Sequence, residues 1–488
     1  MLSTLIQVLF GLVVMFFLLY AVLELRLVVL SRRSEKVRLL ALDADDQCTM
    51  GAAAEWPKVT VLLPVYNESR VIEALIDAAC ALAYPADKLQ ILVLDDSTDQ
   101  TTALAAARVA HYADQGLNIA VIKRKSRKGY KAGNLAHGLH FANGEFLALF
   151  DADFVPPTDF LYKTIPCFSD QEIGYLQTGI DYANRNASFL TRFQAMMMGH
   201  QQFVTTGLSY ENLMVSLSGS SCVWRRSCLD SLGGWTANTL TEDVEIGYRA
   251  QFNRWRYAYL RHVVSLSELP ESMDAIRVQR HRWAHGLIHN AFKSLKSFFG
   301  TSMTLVERLH AISLMFSSLL LASIYVLVLL SLPLAMMSDH LGILFDAIAW
   351  VFACGAVLWV ASNFIGSSNA SSDEPKESFL NRLVMMLGYV SMFFPLSLYY
   401  FVAGVQLLLE REYEFKRTPK GGEQSLDKLN HLFYRLEWAS LIYALIAFGV
   451  AWHFANYWLM LFDVFVMSGF SIVIFYQINQ SRLAMKQG

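Results

Sequence analysis

Apolar residues are concentrated in long stretches at both ends of the chain, and a segment of mixed character lies between them. The first stretch runs from about Leu5 to Leu30 and lacks both the basic start and the small-residue cleavage site of a secretory signal. It therefore predicts a retained transmembrane helix. Beyond about Thr304 further apolar stretches predict membrane spans, with candidates at His310–Met336, Leu341–Ile365, Arg382–Leu408, Leu436–Phe454 and Trp458–Ile478.

The segment from about Pro57 to His289 has the alternating pattern of an α/β domain. Helix-like segments at Arg70–Ala83 and Thr101–Asp114 are interleaved with short apolar runs. These strand-like runs are Val59–Pro64, Gln90–Leu94, Ile119–Ile122 and Phe146–Phe150. The βαβα order predicts a mostly parallel sheet with helices on both faces, in which ligands bind beyond the carboxyl ends of the strands.

Basic residues predict the orientation of the chain in a membrane. A cluster of Lys and Arg between residues 26 and 36 follows the first apolar stretch, and none precedes Leu5, which places the α/β domain in the cytosol. The basic segment 411–435 and the C-terminal tail favour the cytosol as well, but six full crossings would put both outside. We therefore expect Arg382–Leu408, which contains Pro395, to lie at the interface or re-enter, leaving about five full spans.

The composition narrows the class of protein. With 488 residues, of which 54% are hydrophobic, the chain is long enough for about two or three domains and too apolar for an ordinary soluble enzyme. The net charge is -2 and no long basic or acidic tract occurs, so we expect no nucleic-acid partner. The six cysteines show neither CxxC pairing nor zinc-ligand spacing, and we expect them to be reduced and structural.

Two carboxylates, Asp151 and Asp153, follow the apolar run Phe146–Phe150. Carboxylate oxygens suit Mg²⁺ or Mn²⁺, and such an ion would neutralise charge on a departing diphosphate. The alternative is a solvated loop, because two Asp residues at this spacing are common. The position after a strand strengthens the metal interpretation and leaves both open.

Two further polar segments follow the same predicted sheet edge. In Asp95–Asp99 we expect one carboxylate to cap the helix Thr101–Asp114. The segment Arg127–Asn134 supplies Lys131 and two glycines, so a pyrophosphate could contact a cation and the backbone together. A basic surface loop is the alternative for this segment.

A possible base precedes the helical stretch Val244–Phe252. Glu242 and Asp243 would be stabilised at the helix N-terminus whatever their role. In the functional interpretation Asp243 is a general base, because a substrate hydroxyl is a weak nucleophile until a nearby carboxylate removes its proton.

The segment Gln279–Trp283 combines an amide, the guanidinium groups of Arg280 and Arg282, and an indole. Arginine can bind a phosphate through two hydrogen bonds, and the face of Trp283 can stack on a pyranose ring. The alternative is a basic, aromatic helix at the membrane interface, because the segment lies just ahead of the spans.

Taken in order along the chain, these residues resemble the D, DxD, TED and QxxRW motifs of the processive family 2 glycosyltransferases, the group of cellulose, chitin and hyaluronan synthases. The four motifs are Asp96, Asp151–Asp153, Thr241–Asp243 and Gln279–Trp283. The chain is most similar to the plant cellulose-synthase-like families A and C, which are mannan or glucomannan and xyloglucan-backbone synthases, and to bacterial relatives. The similar segments are Val93–Asp99, Gly129–Asn134, Phe150–Phe154, Gly233–Trp235 and Ser267–Pro270.

The resemblance implies a GT-A fold and a role for each site residue. It implies that Tyr66, Glu68 and Asp96 contact the nucleotide and that Asp151 and Asp153 hold the metal and the diphosphate. It assigns the base to Asp243 beside Glu242, the diphosphate to Gln279, Arg280 and Arg282, and the acceptor to Trp283, Ser220 and Cys222; the donor contact of Lys131 is predicted from its own segment.

The segment Phe415–Gly421 resembles the FxVTxKG gating loop that caps the donor in cellulose synthase, with Arg417 where Val is usual. Thr418 and Lys420 remain in register and are implied donor contacts. A gate has to be cytosolic, in agreement with the orientation that the basic residues predict.

The resemblance also divides the chain into four parts. These are an N-terminal transmembrane helix (1–33), a linker (34–56), a cytosolic catalytic domain with interface helices (57–300), and a transmembrane channel region (301–488). The last part includes an interface segment (377–410) and the gating-like loop (411–435).

The implied reaction is a single displacement that adds a sugar from UDP-glucose or GDP-mannose to a growing polysaccharide and converts an α-linkage into a β-linkage. The implied cofactor is Mg²⁺ or Mn²⁺. We expect a multi-pass protein of a bacterial inner membrane with a cytosolic catalytic domain, which an accessory export subunit could join. We expect aromatic residues of the spans, including Tyr399 and Tyr400, to stack on sugar rings in a polymer channel.

Two other functions remain open at this point. A non-processive family 2 enzyme that adds one sugar to a lipid acceptor would share the first three motifs but usually lacks QxxRW. A membrane transporter or channel with a nucleotide-binding domain would explain the spans but not a base beside a metal pair, and its spans would carry more ionisable residues.

Overall fold

The computed structural model of the chain describes residues 2–42, 55–367, 379–410 and 428–487. Within these ranges, seven strands form one sheet and fifteen α-helices cover it or pack beside it. The strands are β1 (Val59–Val65), β2 (Leu89–Asp95), β3 (Ile119–Lys123), β4 (Phe146–Leu149), β5 (Ile173–Tyr182), β6 (Cys222–Arg225) and β7 (Arg256–Ser267). The first nine helices are α1 (Leu2–Leu42), α2 (Ile72–Cys80), α3 (Thr101–Asp114), α4 (Tyr130–Leu139), α5 (Phe160–Thr164), α6 (Phe189–Tyr210), α7 (Arg226–Leu232), α8 (Glu242–Phe252) and α9 (Met273–Gly300). The last six are α10 (Leu305–Met315), α11 (Ser317–Met336), α12 (Ile343–Ser367), α13 (Phe379–Leu408), α14 (Lys428–His453) and α15 (Tyr457–Gln487).

The sheet has the order β3-β2-β1-β4-β6-β5-β7, and only β6 runs antiparallel to its neighbours among the described strands. Every residue of β1 is buried, as expected for a sheet that helices cover on both faces. Successive side chains of a strand point to opposite faces, so Val61 and Leu63 pack with α2 and α3, whereas Leu62 packs with α4. The predicted α/β fold with a mostly parallel sheet is confirmed.

Among the described residues, six helices are long and apolar enough to cross a membrane. Their apolar segments are Thr4–Ser34, Ser317–Met336, Ile343–Gly366, Leu383–Leu408, Leu429–His453 and Tyr457–Gln480. The predicted span His310–Met336 is wrong at its start, because the helix breaks at Phe316 and the preceding residues form the separate helix α10. Helix α13 continues through Pro395, and the interface position of this segment stays a prediction, as do the domain bounds.

Helices α6 and α9 join the α/β domain to the helical bundle, by which we mean α1 and α11 to α15. Helix α1 packs along α6 and α12, and α9 lies against α13 and α14. Between α1 and α6, His200 Nε2 lies 2.9 Å from Glu24 Oε1, and both side chains are buried. Helices α6 and α9 are therefore in contact with the bundle as well as with the α/β domain.

Candidate active site

A cavity of about 390 Å³ lies at the carboxyl ends of β1 and β4 and is bordered by α8 and α9. This is the sheet edge at which the strand order predicts ligand binding. The cavity wall includes the predicted site residues Tyr66, Glu68, Asp96, Lys131, Asp151, Asp153, Glu242, Asp243, Gln279, Arg280, Arg282 and Trp283. The fold thus brings motifs that are far apart in the sequence to one place.

The candidate base, Asp243, lies in the first turn of α8, where a helix N-terminus favours negative charge. Its Oδ1 accepts a hydrogen bond from the backbone N–H of Val244 at 2.8 Å. Burial, together with the neighbouring Glu242 carboxylate, raises the pKa of Asp243 to about 7 against the opposing effect of Lys131. A carboxylate with a pKa near neutrality is a stronger base than an exposed aspartate.

The start of α8 is fixed by α9. The side-chain amide of Asn290, which is fully buried, donates hydrogen bonds to the carbonyl oxygen and the hydroxyl of Thr241, at 2.9 and 2.8 Å. Thr241 is the residue that precedes α8. The helix that carries Gln279 to Trp283 therefore also sets the position of Asp243.

Gly219 allows the backbone to approach Asp243 closely. A Cβ atom at this position would lie 2.4 Å from Asp243 Oδ2, and the φ of +74° is one that side chains rarely adopt. The glycine directly precedes Ser220, one of the residues to which the resemblance assigns the acceptor. Its role in the structure is to leave room for the candidate base.

We expect Gly219→Ala to lower kcat about a hundredfold, because a misplacement of the base by about 1 Å costs roughly that much. Gly116→Ala is the matched control, since Gly116 has a φ of +89° and nothing within 4 Å of its added Cβ. Steady-state nucleotide release measures both variants. Equal activity of the two would contradict a specific effect on Asp243.

Two serines hold the carboxylate pair that follows β4. Ser220 Oγ accepts a hydrogen bond from the backbone N–H of Asp151, and Ser267 Oγ donates one to Asp153 Oδ2, both at 2.9 Å. Ser267 ends β7, so the far side of the sheet contributes directly to the orientation of Asp153. The sequence indicated neither contact.

Lys131 lies between the carboxylates of the site. Its Nζ is 2.5 Å from Asp151 Oδ1 and 3.8 Å from Glu242 Oε1, and it donates a hydrogen bond to the carbonyl oxygen of Gly219 at 3.0 Å. Burial alone would lower the pKa of Lys131, but the carboxylates of Asp151, Glu242 and Asp243 raise it. The lysine is therefore a fixed cation in the cavity, as diphosphate binding needs.

The carboxylate pair fits a divalent cation that is shared with a substrate. Asp151 and Asp153 both face the cavity, and no group of three His, Cys, Asp or Glu residues that could hold an ion alone is found in the described ranges. Mg²⁺ in nucleotide sites is typically held by one or two carboxylates, with phosphate oxygens and water completing its shell. The residues present match that arrangement.

At the other end of the cavity, the predicted nucleotide contact Asp96 is held by Arg124. The guanidinium donates from Nε to Oδ1 at 2.7 Å and from Nη2 to Oδ2 at 2.5 Å. Arg127 lies over the Tyr66 ring, with Cζ 3.3 Å from the ring centroid. Asp99 accepts a hydrogen bond from the backbone N–H of Thr101 at the start of α3, but the residue at the N-cap position is Gln100, which makes no side-chain capping bond, so the predicted carboxylate cap is not found there.

Helix α9 forms the wall of the cavity that adjoins the bundle. Gln279, Arg280, Arg282 and Trp283 all line it. The Arg280 guanidinium is buried and lies 4.6 Å from the centroid of the Trp283 ring. A diphosphate and a sugar ring could therefore meet this wall side by side.

Several predicted residues lie elsewhere. Ser220 and Cys222 are buried and are not among the described residues that line the cavity, whereas Ser218 is. Their burial does not favour the predicted acceptor role. Thr418 and Lys420 fall outside the described residues, so their role stays a prediction.

The two tyrosines expected to stack on sugar rings are packed inside the bundle. Tyr399 is fully buried and donates a hydrogen bond to Glu437 at 2.6 Å, and Tyr400 is nearly as well buried. Neither side chain presents a free ring face in this structure, so the geometry does not favour the predicted stacking.

The mostly parallel sheet and the acidic, cation-lined cavity at its carboxyl edge are those of a GT-A glycosyltransferase fold. Residues 57–286 match the family described as Glycosyltransferase like family 2. This part of the chain is therefore similar to family 2 glycosyltransferase domains, which confirms the resemblance that the motifs carry and the predicted fold.

Two plant proteins illustrate the similarity. Over 254 residues the chain is 39% identical to the probable glucomannan 4-beta-mannosyltransferase 6 of Oryza sativa subsp. japonica, covering 51% of this chain and 44% of that protein. Over 275 residues it is 34% identical to glucomannan 4-beta-mannosyltransferase 9 of Arabidopsis thaliana, covering 55% of this chain and 51% of that protein. The chain thus spans about half the length of the curated relatives it matches.

A mannosyltransferase from Pyrobaculum calidifontis, solved in complex with GDP-Man and Mn²⁺, is a structural neighbour. It is 20% identical, with a TM-score of 0.49, and the match covers 80% of this chain and 100% of that chain.

Proposed function

We propose that this chain is an inverting glycosyltransferase that moves mannosyl units from a nucleotide sugar onto a growing β-1,4-linked polysaccharide. The observation that carries the proposal is the cavity in which Asp243, the pair Asp151 and Asp153, and the cationic wall of α9 face one another. Similarity to two glucomannan 4-beta-mannosyltransferases supports the mannosyl donor and the linkage. GDP-mannose is therefore preferred over UDP-glucose.

In the proposed reaction, Asp243 accepts the proton of the acceptor hydroxyl while the hydroxyl oxygen attacks the anomeric carbon. The bond from that carbon to the diphosphate breaks in the same displacement, so an α-linked donor gives a β-linked product. Lys131 and Arg280 bind the leaving diphosphate, and Trp283 supports the acceptor ring. Catalysis then comes chiefly from positioning and electrostatics.

Asp151 and Asp153 would hold Mg²⁺ or Mn²⁺. When bound, the ion neutralises negative charge on the leaving diphosphate. Ser267 keeps Asp153 turned toward the cavity, and Lys131 does the same for Asp151.

We place the α/β domain on the cytosolic side of a plasma or bacterial inner membrane. The basic cluster between residues 26 and 36 supports this orientation. The polysaccharide would leave through the helical bundle next to α9, with or without an accessory export subunit.

A donor screen tests the proposal. Purified full-length protein in lipid nanodiscs, supplied with Mg²⁺ or Mn²⁺, is given GDP-mannose, UDP-glucose or UDP-N-acetylglucosamine, and nucleotide release is measured. We expect metal-dependent release from GDP-mannose above the other donors. Release from none of them contradicts the proposed function, and a product with a single lipid-linked sugar favours single addition instead.

A further inference from the structure

Helix α9 carries, near its start, a buried arginine that does not line the cavity. Arg277 is 1% exposed, and its Nε and Nη2 donate to the two carboxylate oxygens of Glu437 on α14, at 2.8 and 2.6 Å. Its Nη1 donates to Gln477 on α15 at 2.7 Å and to Asp274 at 2.8 Å. One side chain of the catalytic domain is thus bonded to two helices of the bundle.

The carboxylate partner is equally well enclosed. Glu437 is 0% exposed, and besides Arg277 it accepts a hydrogen bond from the Tyr399 hydroxyl on α13 at 2.6 Å. Two buried charges lose most of their hydration, so such a pair adds little net stability even when every hydrogen bond is made. What a pair with two parallel hydrogen bonds does provide is a defined geometry between the elements it joins.

Contacts continue from this pair to the cavity wall. Arg280 lies about one helical turn beyond Arg277 on α9, on a neighbouring face. Tyr400, which follows Tyr399 on α13, lies beside the Arg280 guanidinium, and that guanidinium lies over the Trp283 ring. Of these two consecutive tyrosines of α13, Tyr399 therefore contacts the buried pair and Tyr400 contacts Arg280 in the cavity wall.

We propose that Arg277 and Glu437 are positioning residues for the transfer reaction, because their pair fixes α9 against α13, α14 and α15 and so places Arg280 and Trp283. This inference rests on the proposed function. The predicted nucleotide contacts Tyr66 and Asp96 follow β1 and β2 rather than α9. Arg280 is proposed to bind the diphosphate, on which negative charge increases as the sugar leaves, so its position affects the transition state more than the bound donor. Loss of the pair should therefore lower kcat much more than it changes the KM for the donor.

Glu437→Gln removes the negative charge and one of the two acceptor oxygens of the pair with little change of shape. In full-length protein in nanodiscs we expect kcat to fall about ten- to a hundredfold, with the donor KM within about threefold of wild type. Tyr325→Phe is the matched control: it removes a buried hydrogen bond of 2.8 Å to Ser440, also on α14, in which no residue of α9 takes part. Its two kinetic constants should stay at the wild-type values.

A second variant separates positioning from stability. The double change Arg277→Met with Glu437→Leu replaces the pair by apolar side chains of similar volume, which usually preserves folding. If the pair positions α9, the double variant, with its unfolding temperature measured alongside, still has a lowered kcat at an unchanged donor KM. Wild-type kcat in the double variant overturns the positioning role, as does a Glu437→Gln enzyme that behaves like Tyr325→Phe. A wild-type protein that uses no nucleotide sugar contradicts the proposed function instead, and the positioning role with it.

Discussion

Asp243→Asn should lower the rate of sugar transfer at least about a thousandfold while donor binding stays within about twofold of wild type. The amide has the shape of the carboxylate and can still accept the hydrogen bond from the backbone N–H of Val244, but it cannot take up a proton. Nucleotide release at saturating donor measures the rate, and calorimetric titration with the donor and metal measures binding. Near-normal turnover would remove Asp243 as the base.

Asp114→Asn is the control for this change, because Asp114 is exposed at the end of α3 and lies outside the cavity wall. It should behave as wild type. The pKa of Asp243 adds a second signature: since burial raises it to about 7, the wild-type rate should rise as the pH increases through that value. Below it the base is protonated and the rate falls.

Asp153→Asn should weaken metal-supported donor binding at least about a hundredfold and reduce transfer correspondingly. The change removes one of the two carboxylates that face the cavity after β4, although the amide oxygen can still accept the hydrogen bond from Ser267. The expected signature is that added Mg²⁺ or Mn²⁺ no longer increases the affinity for the nucleotide diphosphate. Titration with and without metal measures it.

Asp159→Asn provides the comparison for Asp153. Asp159 follows the same strand but forms an ion pair with Lys163 at 2.5 Å on the domain surface. This variant should keep the metal effect in full. If Asp153→Asn keeps it too, the metal is not held by the carboxylate pair.

The apolar runs of the sequence predicted the first four strands to within one residue at each end, and α3 at both ends. They did so because buried parallel strands are continuous apolar segments. The apolar pattern predicted none of β5, β6 and β7, of which β6 has only four residues and runs antiparallel to its neighbours. Its place between β4 and β5 depends on pairing with distant residues rather than on any local pattern.

The motifs identified residues whose side chains face the cavity, but they did not identify the neighbouring residues that fix the positions of those side chains. Arg124 binds Asp96, Ser267 binds Asp153, and Gly219 leaves room for Asp243. These partners come from other elements of the fold, so the motifs themselves do not identify them. Arg124 could have been suspected, because it follows β3 at the same edge of the sheet.

The sequence also predicted that two tyrosines of the membrane spans stack on sugar rings, which their burial does not favour. An apolar span identifies Tyr399 and Tyr400 as membrane residues but does not tell which side of the helix faces other helices. In the structure both are buried within the bundle, where Tyr399 meets Glu437. The pairing of that glutamate with Arg277 joins two segments far apart in the chain, and no periodicity predicts it.

The product made from GDP-mannose by purified full-length protein with Mg²⁺ or Mn²⁺ tests the central claim most directly. It is separated by size and digested with an endo-β-1,4-mannanase. We predict a polymer of many mannosyl units that the enzyme degrades completely. A polymer that resists digestion, or a product with an α-linkage, would contradict an inverting β-1,4-mannosyl transfer at this site.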